Sequence, residues 1–243
     1  MVGYTEYMGK NIKFVSVHDN ILEMFYPKPA SECVPDWYKG QSSYTDNKKH
    51  IDENGKANAT IKKCMPLFDS MTAGYIIFTC MDIEISNIGG LPYYSWADSF
   101  SGDIKPITFH SNKQADKYPF FKNLLNAPKF TNPWAIQTPK GYSTLFVSPM
   151  HRNLPFETLS GTVDTDTYHS PVSLPFFLKE PDWTGIIPAG TAIAQVIPFK
   201  RDSWKMSMGG HKDRKKIIQT NNKITPFFVN AYKNLFWSKK SFK

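Results

Sequence analysis

Two carboxylates and an aromatic ring lie close together in the segment GTVDTDTY, residues 161–168. Asp164 and Asp166 are separated by one threonine, and Tyr168 follows two residues later. A positioned carboxylate can take a proton from water, and a tyrosine ring can stack on a flat ligand. The alternative is turn chemistry, in which aspartate side chains accept hydrogen bonds from nearby backbone N–H groups. Asp164 and Asp166 are therefore candidate catalytic residues, and Tyr168 is a candidate ligand-binding residue. A purely structural role for the two aspartates in the turn is the alternative.

The segments that must position these residues are typical of short β-strands joined by tight turns. Apolar runs with β-type spacing occur at residues 11–17, 75–85, 134–150, 171–178 and 190–197. Gly74 directly precedes the second run, which predicts a close backbone approach there. A short helix is predicted around residues 114–125, and a second one after Pro226, where apolar residues take helical spacing. Residues 206–216 are predicted to be flexible and basic.

Composition bounds the class of protein. A chain of 243 residues can bury a substantial core, and 15% aromatic residues with 18 prolines and 14 glycines suit a β-rich fold with many turns. No run of 18 apolar residues occurs, so no membrane span or membrane partner is expected. Three cysteines without a CxxC pair predict neither a disulfide framework nor a zinc site, and the six histidines have no metal-ligand spacing. A reducing, intracellular setting and no metal site are expected.

The positive charge is concentrated at the C-terminal end. Residues 200–243 contain 12 Lys and Arg against two acids, a net charge of +10, while the rest of the chain has 17 against 19, a net charge of −2. Such a tail can contact nucleic acid, an acidic partner surface or a neighbouring subunit. A solvated tail without a specific partner is an equally good interpretation.

Four short motifs follow one another along the chain, at residues 73–75, 139–142, 161–168 and 190–195. Their order resembles that of the motifs in the superfamily of deoxyuridine triphosphatases (dUTPases) and dCTP deaminases. The turn at 73–75, Ala-Gly-Tyr, resembles the first motif of that family, and the Pro-Lys-Gly-Tyr turn at 139–142 resembles a later one. Residues 161–168 resemble the uracil-binding hairpin with one inserted residue, and residues 190–195, Gly-Thr-Ala-Ile-Ala-Gln, are similar to the closing strand. The resemblance covers about residues 65–200.

This resemblance implies a fold and an organisation of the chain. The expected fold is mainly β, a dUTPase-like β-clip or distorted β-barrel with an irregular N-terminal extension and a short C-terminal helix. Residues 1–243 are expected to form a single domain. It would comprise the N-terminal extension at 1–60, the dUTPase-like β-core at 65–200, and a basic tail with the C-terminal helix at 201–243.

Several departures from the family pattern bear on activity. Ile76 stands where the family has an acidic residue after its first motif, and Ser-Pro-Met at 148–150 stands where the family has its phosphate-binding Arg-Ser-Gly. The glycine-rich lid of the family is also missing. Ser148 and Arg152 are the phosphate contacts predicted in this region, and Gln195 is a further ligand-binding candidate for which sheet pairing is the alternative. No cofactor is expected, and Mg²⁺ only if a nucleoside triphosphate is bound.

Three functions remain open at this stage. The first is a divergent dUTPase-like β-clip protein without dUTP hydrolysis that binds a nucleotide-like ligand or a protein partner. The second is a structural virion protein that docks on neighbouring subunits, and the third is a pyrimidine nucleotide hydrolase or deaminase with an altered phosphate site. The family resemblance implies a homo-oligomer, commonly a trimer, whose sites are completed by neighbouring subunits.

A second, whole-chain resemblance bears on origin. The opening at 29–37, Asn-Pro-Trp at 132–134 and Arg-Asp-Ser-Trp at 201–204 resemble uncharacterised proteins of tailed phages. It implies a phage protein in the cytoplasm of an infected bacterium or in the virion. Virion subunits, a host protein and nucleic acid at the basic tail are the partners that would follow.

Overall fold

The chain divides into two compact units in a computed structural model that describes residues 10–16, 18, 25–97, 104–111, 113–114, 118–119, 126–227 and 229–243. The first unit comprises residues 1–28 and 74–201, and the second comprises residues 29–73 and 202–243. Most of the helix predicted around residues 114–125 lies outside the described residues.

The first unit is built from strands. They are β1 (Lys13–Ser16), β3 (Tyr75–Phe78), β4 (Ile83–Ile88), β5 (Leu91–Ser95), β6 (Ile107–Ser111), β7 (Asn126–Phe130), β8 (Trp134–Gln137), β9 (Tyr142–Val147), β10 (Phe156–Thr158), β11 (Gly161–Val163), β12 (Leu174–Leu178), β13 (Gly185–Ile187) and β14 (Ala192–Lys200). A two-residue strand, β2 (Lys28–Pro29), lies where the chain passes from the first unit into the second.

These strands form several antiparallel sheets. One sheet has the order β11-β9-β14-β3 and is extended at its β3 edge by Lys28 of β2; a second has the order β10-β12-β7-β6. A third has the order β13-β4-β5, and β1 pairs with β8. The mainly β prediction is confirmed, although no sheet of the described strands closes into a barrel.

The pattern of burial explains why these segments pair. Alternate residues of β4 and β12 are buried, as expected where one sheet face packs on the core. β14 is buried at each position from Ala192 to Val196 because it lies between β9 and β3 with both faces covered. The predicted close approach at Gly74 is present: its φ is +70°, and an added Cβ would lie 2.0 Å from the Val196 carbonyl oxygen. Only glycine fits this crossing.

The second unit contains the helices of the described chain. They are α1 (Asp36–Gly40), α2 (Met65–Thr72), α3 (His211–Ile224) and α4 (Ala231–Leu235), with short 3-10 turns at Ala30–Glu32 and Ile61–Lys63. Among the described residues, no helix is both long and apolar enough to cross a membrane.

Two expectations for the C-terminal segment need correction. Residues 206–216 are predicted to be flexible, but helix α3 begins within them at His211. The predicted closing helix is present, but it begins at Ala231 and does not contain Pro226 in its first turn. Good helix formers such as Lys, Arg and Gln extend α3 without an apolar stripe, so hydrophobic periodicity does not reveal it. Pro226 lies in the turn that follows α3, and Asn230, at φ 63°, precedes α4.

Candidate functional site

The Asp-Thr-Asp turn is fixed by the strand pair beneath it. β11 pairs with β9 so that Val163 lies opposite Thr144, and the chain therefore leaves β11 beside the first residues of β9. The Thr165 hydroxyl is buried between those of Thr138 and Thr144, at 2.8 and 2.9 Å. Since Thr165 points inward, its two neighbouring carboxylates are placed at the surface of the sheet end. Tyr168 closes the turn through its N–H, which donates to the Asp164 carbonyl oxygen at 2.8 Å.

Arg201 binds both carboxylates of this turn. Its Nη1 donates to Asp164 Oδ1 at 3.2 Å and to Asp166 Oδ1 at 2.9 Å, and its Nη2 forms a second bond to Asp166 Oδ2 at 2.5 Å. The Gly141 N–H donates to the same Asp166 oxygen at 2.8 Å, and the Arg201 N–H donates back to the Gly141 carbonyl oxygen at 2.9 Å. These contacts form a planar, two-pronged guanidinium–carboxylate pair of the kind that fixes geometry strongly.

These contacts change the acidity of Asp166. The hydrogen bonds from the Arg201 guanidinium, followed by the one from the Gly141 N–H, lower the pKa of the Asp166 carboxyl to about 2. The same partnership raises the pKa of Arg201. A carboxylate with so low a pKa is a weak base at neutral pH, because the best proton acceptors have pKa values near the working pH.

Asp164 and Tyr168 are more accessible than Asp166. The Asp164 side chain is 64% exposed, whereas the Asp166 side chain is only 3% exposed. Asp164 Oδ1 accepts a hydrogen bond from the Ser143 hydroxyl at 2.6 Å in addition to the bond from Arg201. The Tyr168 ring is half-exposed in the same turn. The open part of this site therefore consists of Asp164 and Tyr168.

The structure places Ser148 and Gln195 away from this turn, and Arg152 lies in the loop between β9 and β10. Ser143 contacts Asp164 near the start of β9, and Ser148 follows the last residue of that strand. Five residues of extended chain separate the two positions by roughly 16 Å. Gln195 belongs to β14, where it pairs with Val147 of β9, and its side chain is buried. Its Oε1 accepts a hydrogen bond from the Met150 N–H at 3.1 Å. Gln195 thus holds the turn that carries Ser148 in place.

Within one copy of the chain, the predicted site residues therefore lie in two groups at opposite ends of β9. Asp164, Asp166 and Tyr168 lie at one end, and Ser148 lies at the other end. A site that used both groups would have to span roughly 16 Å, either with an extended ligand or with a second copy of the chain. Their roles in catalysis and ligand binding stay predictions.

The carboxylates of the turn do not by themselves fit a Mg²⁺ ion. Mg²⁺ prefers carboxylate oxygens and retained waters in an octahedral arrangement, and both Asp166 oxygens already accept bonds from cationic or N–H donors. Within the described residues, no group of three or more His, Cys, Asp and Glu side chains is arranged to hold a metal ion. Mg²⁺ that accompanies a bound nucleoside triphosphate stays a prediction.

Comparison with known proteins gives matches at the level of structure only. No family model matches the chain, and no curated protein matches it. The solved structures that it resembles include a mutant dUTPase of Staphylococcus bacteriophage 80alpha with dUpNHpp, with 13% identity and a TM-score of 0.31 over 56% of this chain and 75% of that one. A second 80alpha dUTPase mutant matches with 11% identity and a TM-score of 0.31 over 77% and 90% of the two chains.

The dUTPase from phage phi11 of S. aureus is also similar, with 13% identity and a TM-score of 0.30 over 56% of this chain and 82% of that one. The matched proteins are of the family that the sequence motifs resemble. TM-scores near 0.3 assign neither an activity nor an assembly to this chain.

Proposed function

We propose that this chain is a divergent dUTPase-like β-clip protein that acts by binding and does not hydrolyse dUTP. The observation that supports this function is the engagement of Asp166 by Arg201 and the Gly141 N–H. Hydrolysis of a nucleoside triphosphate requires a base for the attacking water and cations for the phosphates. Asp166 is a weak base in this arrangement, and the positive charge of Arg201 is already matched by two carboxylates.

The remaining features of a hydrolytic site are also sparse. Asp164 is accessible, but the turn with Ser148 that replaces the phosphate motif lies at the other end of β9. The pyrimidine hydrolase or deaminase alternative therefore requires a ligand, or a second copy of the chain, that bridges these two ends. A nucleotide-like ligand at Tyr168 and Asp164 without turnover is compatible with the proposal.

The enzymatic alternative is tested with purified protein, Mg²⁺ and either dUTP or dCTP at pH 7.5. We expect pyrophosphate and ammonia release at the rate of the protein-free blank, with an active dUTPase as the positive control. Turnover above the blank that disappears in Asp164→Asn would contradict the proposal. In that case Asp164 would be the base, and binding without hydrolysis would be excluded as the function.

A specific observation favours a protein partner, namely a second copy of this chain. Residues 202–210 have no regular secondary structure, and Trp204, Met206 and Met208 are 93%, 88% and 90% exposed. These three large apolar side chains occupy alternate positions of one short, exposed segment. We call residues 202–210 the arm. Large apolar side chains exposed in a row mark interaction sites more often than solvated surface.

The arm is tested by light scattering at micromolar protein concentration. We expect the wild-type mass to be a multiple of 27.8 kDa and the combined variant Trp204→Ser, Met206→Ser, Met208→Ser to have the mass of one chain. The matched control is Lys205→Ser with Ser207→Ala, which changes the polar residues between the three apolar ones in the same segment. A monomeric wild type, or an oligomer that survives the triple change, would exclude the arm as a self-association element.

The phage-related proposals extend this one. A structural role in the virion requires the same docking behaviour, and an infection-time protein of the bacterial cytoplasm would use it with a host protein. The basic charge of the C-terminal segment, including Lys212, Arg214 and Lys215 of α3, also suits a nucleic-acid partner. Mass spectrometry of purified particles distinguishes the virion role, since the protein would be present in stoichiometric amounts.

A further inference from the structure

The second unit contains a cleft of about 520 Å³ with an aromatic interior. Its apolar lining comes from Tyr38, Met65, Phe68 and Trp237, which belong to α1, to α2 and to the segment after α4. Tyr38 and Met65 are buried, and the rings of Tyr38 and Phe68 lie 6.1 Å apart between centroids. This volume is in the range of pockets that hold small organic molecules.

Asp69, which does not line the cleft, holds the Trp237 side chain in position. The Trp237 indole N–H donates to both carboxylate oxygens of Asp69 at 3.0 Å, and Lys240 Nζ contacts Asp69 Oδ2 at 2.6 Å. Asp69 is therefore occupied, and it holds the Trp237 ring while its negative charge is offset by Lys240. A ring held in this way loses little conformational freedom when a ligand stacks on it.

Three lysines line this apolar interior, and none of the lining residues that the structure describes is acidic. Lys39, Lys62 and Lys233 are all lining residues. Lys39 forms an exposed ion pair with Asp36 at 3.1 Å. Lys62 lies 4.4 Å from the centre of the Tyr38 ring, and its Nζ donates to the carbonyl oxygens of Tyr38 and Lys39. Among the described residues, no ion pair involves Lys62 or Lys233.

We propose that this cleft binds a small organic anion with an aromatic body. The aromatic and thioether side chains would contact the body of the ligand, and the ammonium groups of Lys62 and Lys233 would contact its anionic group. Two positive charges at the edge of a low-dielectric interior favour an anion over a neutral molecule of the same shape. This inference does not rest on the function proposed for the first unit, because its residues belong to the second unit alone.

The test uses the fluorescence of 1-anilinonaphthalene-8-sulfonate, an aromatic anion, titrated into the full-length protein. We expect saturable binding by wild type and a dissociation constant about tenfold weaker in Lys233→Glu, the loss of about one charge-assisted contact. Lys223→Glu makes the same charge change on exposed α3 and should leave the constant within about twofold of wild type, since exposed charges are well screened. Circular dichroism spectra of both variants verify the fold.

A neutral probe separates charge recognition from plain apolar binding. N-phenyl-1-naphthylamine lacks the sulfonate, and we expect it to bind wild type and Lys233→Glu equally. Equal sulfonate affinities for wild type and Lys233→Glu, or sulfonate binding that does not saturate, would overturn the proposal. Competition with dUMP and with indole-3-acetate then distinguishes a nucleotide from an aromatic acid, since only the ligand class that fits the cleft displaces the probe at its own site.

Discussion

Gly74→Ala is expected to lower the free energy of unfolding by about 3 kcal/mol or more, which combines left-handed strain with overpacking. The added methyl group would lie 2.0 Å from the Val196 carbonyl oxygen and 2.9 Å from its carbonyl carbon. These atoms belong to β14, which is held between β3 and β9, so they cannot move without disturbing the pairing of Val196 with Tyr75 and Phe146. The φ of +70° adds strain for any residue with a side chain.

The measurement is urea unfolding at 25 °C followed by far-UV circular dichroism. Gly141→Ala is the matched control, because Gly141 has a φ of +84° but no atom within 4 Å of an added Cβ. In the control, the free energy of unfolding should fall only by the cost of a left-handed backbone for alanine, about 1 kcal/mol. Equal losses in the two variants would show that the approach to Val196 is not what requires glycine at position 74.

The sequence predicts the strands of the first unit well because their signals are local. Apolar alternation identifies β12, and the glycine before an apolar run predicts the crossing at Gly74 that the structure contains. The continuous apolar stretch before Pro198 likewise predicts β14. In each case, a strand face or a tight crossing imposes its requirement on neighbouring residues of the chain.

The candidate site is less predictable because it depends on the order of strands in a sheet. Arg201 lies 35 residues after Asp166. It reaches that carboxylate because β14 ends beside the start of β9, which in turn pairs with β11. No spacing in the sequence predicts this strand pairing, and Arg201 appears in the sequence analysis only within the basic tail and within the Arg-Asp-Ser-Trp motif at 201–204. A residue directly after a predicted closing strand is the one available hint.

The same argument explains the separation of the two groups of predicted site residues. Ser148 and Asp164 are 16 positions apart; Ser148 stands where the family has its phosphate motif, and Asp164 lies in the segment that resembles the family's uracil-binding hairpin. The turn after β9 nevertheless carries Ser148 away from the end where β11 delivers Asp164. A motif specifies the local backbone, while the distance between motifs is decided by strand direction and register.

Asp166→Asn is expected to lower the melting temperature by several degrees at pH 7, and this difference should shrink in acid. The substitution removes the charge that pairs with Arg201 from a side chain that is 3% exposed. The pKa of Asp166 is lowered to about 2 in the folded protein, compared with about 3.9 in an unfolded chain. The ionised carboxylate therefore stabilises the folded state above about pH 4, and this stabilisation is lost as the pH falls towards 2.

The matched control is Asp164→Asn, two residues away in the same turn. Asp164 shares Arg201 but is 64% exposed, so water screens its ion pair and its loss should lower the melting temperature less at pH 7. Differential scanning calorimetry between pH 7 and pH 3 gives both differences from wild type. Two results would mean that the ion pair with Arg201 does not fix this turn. One is a difference in melting temperature between wild type and Asp166→Asn that stays constant down to pH 3, and the other is an equal decrease in melting temperature in Asp164→Asn. Asp166 would then be available for a chemical role that its present contacts oppose.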